Sequence, residues 1–322
     1  MRHRASVWLF SALAAAGVLL IATHFAQLTQ FVDMAEKSDP RWLILAIGFQ
    51  ATTYVCLAVG WNAVLDRAGH RQKLRRLVPI ALIKLFADQA LPDAGLGGNV
   101  VLVQRLMDLG APRATAMAAL LVSMIGFYAA YGTLALAMLG MLWLHREVTP
   151  PLVGVVTMLL MVAIGIPSLA LWLRQRGSHP LPPNVEGIGP IRQLLTIIGE
   201  APARLVHDHR LILRVSLWNG LIFVADTGTL AACLCALGQP LHPSTAFIGL
   251  MSGSIAATLV PIPLGLGSFE ASCIAMLTLL GVRIEPAMTA TLLLRGMTLW
   301  VPLLLGLTLM RRRHHPRGLR SN

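Results

Sequence analysis

The sequence predicts an all-α integral membrane protein: a polytopic helical bundle of about six full spans plus two oppositely oriented re-entrant hairpins. Three observations predict it. Of 322 residues, 56% are hydrophobic and 12% charged, with a mean hydropathy of +0.70, whereas a soluble domain carries roughly 25% charged residues. Apolar runs of about twenty residues recur along the chain. The cations gather in the short loops between those runs, which is the ordinary topology signal.

The N-terminus, Arg2–Ala26, has the cationic start and apolar middle of a signal peptide. Its apolar run from Val7 to Phe25 exceeds the ~7–15 residues of a cleaved segment, so it reads as an uncleaved first span. Six segments read as complete spans: Val7–Gln27, Trp42–Val64, Ala114–Trp143, Leu152–Leu173, Leu211–Leu237 and Pro286–Met310. Residues 1–322 form one transmembrane domain. The longest polar interval, Arg174–Arg210, is too short to close a core of its own.

Two apolar stretches, Val78–Val103 (the first hairpin, 78–103) and Ser244–Gly281 (the second, 244–281), are interrupted by proline and glycine. Charge parity decides whether each crosses once or returns. Loop Asp66–Arg76 holds Arg67, Arg71, Lys73, Arg75 and Arg76, loop Arg174–Arg210 holds five arginines, and the basic tail 311–322 holds Arg311, Arg312, Arg313, Arg317 and Arg320. All three are expected in the cytoplasm, as is the start with Arg2 and Arg4, so both termini lie inside. Leu28–Arg41, Leu144–Pro150 and Gly238–Pro243 carry few cations and are expected outside. These assignments hold together only if both broken stretches enter and leave on one side, the first from the cytoplasm and the second from outside.

The two tips are chemically alike. One reads Leu91-Pro92-Asp93-Ala94-Gly95-Leu96-Gly97-Gly98, the other Pro261-Ile262-Pro263-Leu264-Gly265-Leu266-Gly267-Ser268. Prolines deny a tip its helical hydrogen bonds, and glycines permit reversal and close backbone approach. Non-helical backbone at such depth survives only where protein buries it or where it lines a wet cavity. The arm Ser244–Val260 rises roughly 25 Å as a helix, enough to carry its tip to the midplane. Broken segments in corresponding places of two oppositely oriented halves point to a transporter's midplane site.

A charge at the bilayer centre costs roughly 2.5–3.5 kcal/mol, so each one demands a partner or a role. The candidates are Lys84, Asp88, Asp93, Arg105, Asp226, Glu270 and Arg295. Lys84 and Asp88 stand four apart, which suits a structural ion pair on one helical face. Asp93 sits in the first tip, and Arg105 either contributes from the cytoplasmic side or snorkels to the interface. Glu270 follows the second tip, with Ser268 as the expected N-cap of the helix that begins there. Arg295 lies inside the last span and is expected to pair with Glu270 or with Asp226. Helix N-termini aimed into the membrane, together with a guanidinium fork, suit an anionic headgroup.

Smaller features agree. Gly249 and Gly253 form G-x-x-x-G, which permits close helix contact. Trp8, Trp42, Trp61, Trp143 and Trp172 fall near span ends, as interfacial anchors do. Ile188, Ile191, Leu194, Leu195 and Ile198 recur at helical spacing within the cytoplasmic loop 174–210, as an amphipathic helix on the inner leaflet or against the bundle's underside. Cys56, Cys233, Cys235 and Cys273 all lie in apolar runs and read as packed thiols. The net charge of +12 is spread among loops and tail, which excludes a nucleic-acid surface. No metal or catalytic motif stands out, so neither a cofactor nor an enzymatic reaction is expected.

Pro261-Ile262-Pro263-Leu264-Gly265-Leu266-Gly267-Ser268-Phe269-Glu270, followed by Arg295-x4-Trp300-x-Pro302-x3-Gly306, resembles the lysylphosphatidylglycerol synthase transmembrane-region family. These are flippase-like proteins whose best-known members are the membrane half of the bacterial multiple peptide resistance factor. The stretch from Pro92 to Arg105 is similar to that family's first Pro/Gly motif. The resemblance implies an inner-membrane bundle with re-entrant hairpins that moves or presents polar lipids. It also implies site roles for Pro263, Gly265, Gly267, Glu270 and Arg295, with Leu264 standing where many members have a further glycine. Two-domain members carry a soluble aminoacyl-transferase domain. The sequence ends at Asn322 without one, so lysyl transfer is not expected. Single-domain members also resemble a membrane protein associated with hopanoid biosynthesis.

The reading is therefore a non-enzymatic translocase of an anionic or modified lipid in the bacterial inner membrane. Its expected site is Arg295, Glu270, Pro263, Gly265, Gly267, Arg105, Asp93 and Asp226. Membrane lipids are the expected partners, with lipid-biosynthesis enzymes and a second copy of the chain as further candidates. The rival readings are a scaffold subunit of a lipid or hopanoid biosynthetic complex and an intramembrane lipid-modifying enzyme.

Overall fold

A computed structural model describes residues 39–90, 96–144, 157, 161, 165, 201–240, 242–260, 265–302 and 305. The regular structure of these residues is helical throughout: α1 Pro40–Arg67, α2 Leu74–Ala90, α3 Leu96–Asp108, α4 Arg113–Leu144, α5 Ala203–Val206, α6 His209–Ala236, α7 Pro243–Leu259, α8 Ser268–Leu279 and α9 Ile284–Arg295. The protein is an all-helical integral membrane protein. The expected spans Val7–Gln27 and Leu152–Leu173, the amphipathic helix and the tail lie wholly or mostly outside the described residues.

Two long helices form the wall on which the rest is built. α1 and α6 each have 28 residues and so run about 42 Å; with α4 they are long and apolar enough to cross a bilayer. They pack antiparallel along their whole length. At one end Arg67 Nε donates to Asp208 Oδ2 at 2.8 Å; at the other the Asp39 N–H donates to the Ala236 carbonyl at 3.1 Å. Between them Gly60 faces Val215 and Trp218, and Gly228 faces the Phe49 ring. Both helices start on an aspartate cap: Asp39 accepts the Arg41 N–H at 3.0 Å and Asp208 the Leu211 N–H at 3.1 Å.

Each broken stretch is an antiparallel helical pair. In the first, Gly98 of α3 packs so closely on α2 that a Cβ there would collide with the Asp88 carboxylate and meet the Lys84 carbonyl at 2.8 Å. Near its base, Gln72 Nε2 donates to the Leu109 carbonyl at 3.3 Å, while the Gln72 N–H donates to Asn62 Oδ1 near the end of α1 at 3.0 Å. This hairpin therefore opens at the Arg67 end. In the second, Gly249 lies against Leu277, Gly253 against Phe269 and Cys273, and Gly265 against Ala257, so α7 and α8 run antiparallel with G-x-x-x-G at their seam. α7 begins a few residues after Ala236, so this hairpin opens at the Asp39 end. The two hairpins enter from opposite ends of the α1/α6 wall, as expected. The arms outrun the expected bounds 78–103 at the first hairpin's base: Arg75 and Arg76, expected in the preceding loop, are helical, and the second arm continues through Arg105 to Asp108.

Apolar packing gathers around each hairpin. One cluster joins the first hairpin (Leu77, Ile80, Leu102, Leu106) to the ends of α1, α4 and α6 nearest Arg67. Another joins the second hairpin (Leu250, Phe269, Cys273, Leu277) to α9 and to the far ends of α1 and α6. A third packs the later half of α4 on α7. Charge is just as segregated. Arg67, Arg71, Lys73, Arg75, Arg76, Arg105, Arg113, Arg204, Arg210 and Arg214 lie toward the Arg67 end, whereas the opposite end has Arg41 and Arg283 among the described residues.

Three expectations are corrected in detail. Trp61 is no interfacial anchor: it is fully buried in the first apolar cluster, because α1 continues past it to Arg67. Trp143, at 72% exposed, keeps a position suited to an interface. Ser268 is not the cap of α8; Gly267, at φ 83°, holds that position and Ser268 is the first helical residue. The last span is not a continuous α-helix, since α9 passes into a π turn, Gly296–Trp300, directly after Arg295. The four cysteines are free, with Cys56, Cys233 and Cys273 buried as packed thiols.

Two predictions follow from this packing. A Cβ at Gly253 would stand 2.9 Å from the Phe269 carbonyl oxygen, so Gly253→Ala should lower unfolding stability in detergent by about 1–3 kcal/mol. Gly48→Ala, with nothing within 4 Å, should be neutral or gain up to ~1 kcal/mol. At the Arg67 end, the Arg67 guanidinium first, and then the Leu211 N–H, hold the Asp208 carboxyl below its ordinary range. That contribution is complete at neutral pH and disappears as acid protonates the carboxylate. The stability gap between wild type and Asp208→Ala should therefore be widest near pH 7 and narrow as the pH falls below the ordinary carboxylate range.

Candidate functional site

Between the two apolar lobes lies a polar layer at mid-height. It begins with side chains that a span would otherwise avoid: Gln50, Thr53 and Tyr54 on α1, Lys84 and Asp88 near the tip of the first hairpin, Asn99 on α3, and Asn219 and Asp226 on α6. Gln50 and Tyr54 are one helical turn apart, and Asn219 and Asp226 two turns apart, so each pair shares a helix face. These residues line one cavity of about 540 Å³, together with Ser123, Tyr128 and Thr298 and with an apolar part that includes Leu57, Trp61, Met124, Phe127 and Ile222. That volume lies within the range of small-molecule sites, ~300–1,000 Å³.

Part of the lining is internally satisfied. Lys84 Nζ donates to Asp88 Oδ2 at 2.6 Å, the ion pair expected from their spacing. Gln50 Nε2 donates to Thr53 Oγ1 at 3.2 Å, and Asn219 Nδ2 to the Val215 carbonyl at 2.9 Å. Three other atoms are buried without a hydrogen-bond partner: Gln50 Oε1, Tyr54 Oη and Asp226 Oδ1. Buried polar atoms left open cost about 1–3 kcal/mol each, and here all three belong to residues that line the same cavity.

Beside the cavity the second hairpin is fastened by one carboxylate. Glu270 Oε2 accepts the Gly267 N–H at 2.7 Å, closing the first turn of α8, and Glu270 Oε1 accepts from Arg295 Nε at 2.7 Å. Both side chains are 13% exposed. The guanidinium also lies 4.9 Å from the centre of the Phe269 ring. Of the two expected partners of Arg295, the structure brings Glu270 to it. Glu270 caps its own helix and holds Arg295 at once. Gly265 (φ 61°) and Gly267 (φ 83°) adopt the left-handed backbone that makes this turn. Thr298, one turn past Arg295, lines the cavity and donates to the Arg295 carbonyl at 3.4 Å, so the π turn links ion pair to cavity. On the other flank, Tyr131 stacks on Phe223 at 5.2 Å and its hydroxyl meets Thr258, close to the second tip, at 3.2 Å.

Arg105 is not part of this layer. It sits in the last turn of α3, 3.6 Å from Asp108, toward the cationic end. Asp93 and Pro263 lie outside the described residues. Gln50, Tyr54, Asn99 and Asn219 carry no charge and so do not stand out in the sequence; the helix-face spacing of Gln50 with Tyr54 is the available clue. At the cationic end, a surface cleft of about 620 Å³ is lined by Asn62, Asp66, Arg71, Lys73, Arg75 and Arg214, among others.

Comparison with known proteins now bears on this arrangement. The profile described as the lysylphosphatidylglycerol synthase TM region matches residues 8–306, which include every described helix. The chain belongs to this family. It is also similar to a UPF0104 membrane protein of Pyrococcus horikoshii, at 21% identity over 308 residues covering 90% of this chain and 92% of that protein. The resemblance read at Pro261–Glu270 and Arg295–Gly306 thus extends over nearly the whole chain as family membership.

The ion pair makes a quantitative expectation. Removing one partner of a buried pair strands the other, whereas removing both with volume kept is close to neutral. Arg295→Met and Glu270→Gln should each lower stability by about 3–5 kcal/mol. The double variant should recover part of that loss, and a double-mutant cycle on unfolding midpoints measures the coupling.

Proposed function

We propose that the protein moves or presents a polar lipid, anionic or otherwise modified at its headgroup, between the two leaflets of the plasma membrane without altering it covalently. The observation that carries this reading is the pair of hairpins entering from opposite ends of the wall, with a cavity at mid-height that the first hairpin lines and to which the second is tied through Glu270, Arg295 and Thr298. A lipid crossing a bilayer needs shelter only for its headgroup, since the acyl chains can stay in hydrocarbon. A cavity of about 540 Å³ has room for a headgroup and not for a whole lipid. Midplane sites between interrupted helices of opposite orientation are the usual arrangement for alternating access.

The cationic Arg67 end faces the cytoplasm in this proposal, following the bias of basic loops toward that side. Anionic headgroups of the inner leaflet then meet the cleft of Arg71, Lys73, Arg75 and Arg214 first. Arg295, with its planar fork, is the cation beside the cavity that suits a phosphate, and Glu270 holds it while the site is empty. Membrane lipids are the primary partners.

Proteoliposomes carrying a headgroup-labelled phospholipid test the reading. The purified protein should speed label exchange between leaflets, mass spectrometry should recover the lipid intact, and the Glu270→Gln/Arg295→Met double variant should slow exchange by tenfold or more. Unchanged exchange in that variant would discard the ion pair as part of the site. A converted lipid would make the protein an enzyme, and exchange no faster than in empty liposomes, with biosynthetic enzymes retained in pull-downs, would make it a scaffold.

A further inference from the structure

The cavity holds a charge imbalance that the transport reading leaves unexplained. Lys84 and Asp88 cancel each other at 2.6 Å, and Arg295 is engaged by Glu270 at 2.7 Å. Asp226 is left over, midway along α6, with Oδ1 buried and lacking a hydrogen-bond partner. Across the cavity on α1, the buried Gln50 and Tyr54, 6% and 7% exposed, have only each other as side-chain partners for Gln50 Oε1 and Tyr54 Oη. The groups facing Asp226 across the cavity are Tyr54 from α1, Lys84 and Asp88 from α2 and Tyr128 from α4; α3 and the π turn contribute the non-titrating Asn99, Leu102 and Thr298. The lining is therefore rich in acceptors and negative by one charge.

A carboxylate at this depth is held by a cation, a proton or a ligand, and open oxygens beside it ask for a donor or a positive ion. We propose that Asp226, with Gln50 and Tyr54, is a binding site for a single positive charge. The inference rests on the transport reading for its purpose. An anionic headgroup cannot approach an ionised Asp226 at low dielectric without strong repulsion, so the positive charge has to arrive before the headgroup or with it. This makes the site the point where lipid movement is linked to a cation. One positive charge can come from an alkali ion, a proton or the ammonium group of a ligand, and the three have the same electrostatic effect on Asp226.

Unfolding midpoints of the purified full chain in detergent distinguish the sources, because a ligand that binds the folded state raises stability with its concentration. Three titrations are run, with ionic strength held by N-methylglucamine chloride: sodium chloride, ethylamine hydrochloride, and pH without either. At least one should raise the wild-type midpoint saturably, and the one that does names the source. Asp226→Asn, which removes the unpaired charge and keeps the shape, should fold and show the saturable rise in none of them, the acid-side loss from Asp208 remaining in both proteins. Tyr54→Phe, which removes one open oxygen, should still respond with about tenfold weaker apparent affinity. No saturable rise of the wild-type midpoint in any of the three titrations, or an equal rise in Asp226→Asn, overturns the proposal. No lipid transfer enters this measurement. A protein that exchanges no lipid can still show the site, and one that exchanges lipid while Asp226→Asn responds like wild type loses this inference alone.

Discussion

A polypeptide chain cannot be broken inside hydrocarbon unless protein answers the backbone groups that the break releases, and the architecture of this molecule follows from that constraint. Glu270 meets part of it at the second hairpin. One carboxylate oxygen takes the Gly267 N–H at the start of α8 and the other takes the Arg295 guanidinium. The tip's first turn and the last described span are thereby fastened to one side chain. The α1/α6 wall supplies the rest, because two full-length antiparallel helices give both hairpins a protein surface to lie on rather than lipid.

The same constraint accounts for the distribution of polarity. Each hairpin carries its own apolar cluster, and polar side chains are concentrated where the two lobes meet. A charge at that level costs several kcal/mol unless it is matched, and the structure matches two of the pairs that occur there. Lys84–Asp88 and Arg295–Glu270 are closed at 2.6 and 2.7 Å. What is left open is concentrated on the wall of a cavity, which is where unsatisfied groups are useful to a ligand and tolerable to the fold.

Much of the fold was legible in the sequence because its two strongest signals, apolar length and the placement of arginine, are properties of local windows. They locate α1, α4 and α6 to within a few residues and require two oppositely directed hairpins without reference to packing. The pairing of Arg295 was legible only as a choice, since Glu270 and Asp226 were both within reach on sequence grounds and tertiary packing alone selects between them. Other details depended on contacts that no window contains. Trp61 near a span end reads as an anchor, yet α1 runs on for another turn and a half and buries it. Ser268 has the chemistry of a cap, yet the left-handed backbone at Gly267 takes that position. Gln50 and Tyr54 look unremarkable within an apolar run and gain meaning only opposite Asp226.

The central claim is that the two hairpins open on opposite faces of the membrane, and side-specific thiol labelling tests it most directly. In a background lacking the four native cysteines, single cysteines replace Arg71 at the base of the first hairpin or Arg283 beside the base of the second, both exposed. In sealed vesicles of defined orientation, a membrane-impermeant thiol reagent should modify one of the two positions from outside and the other only after the vesicles are opened. Modification of both positions from the same side would contradict the account.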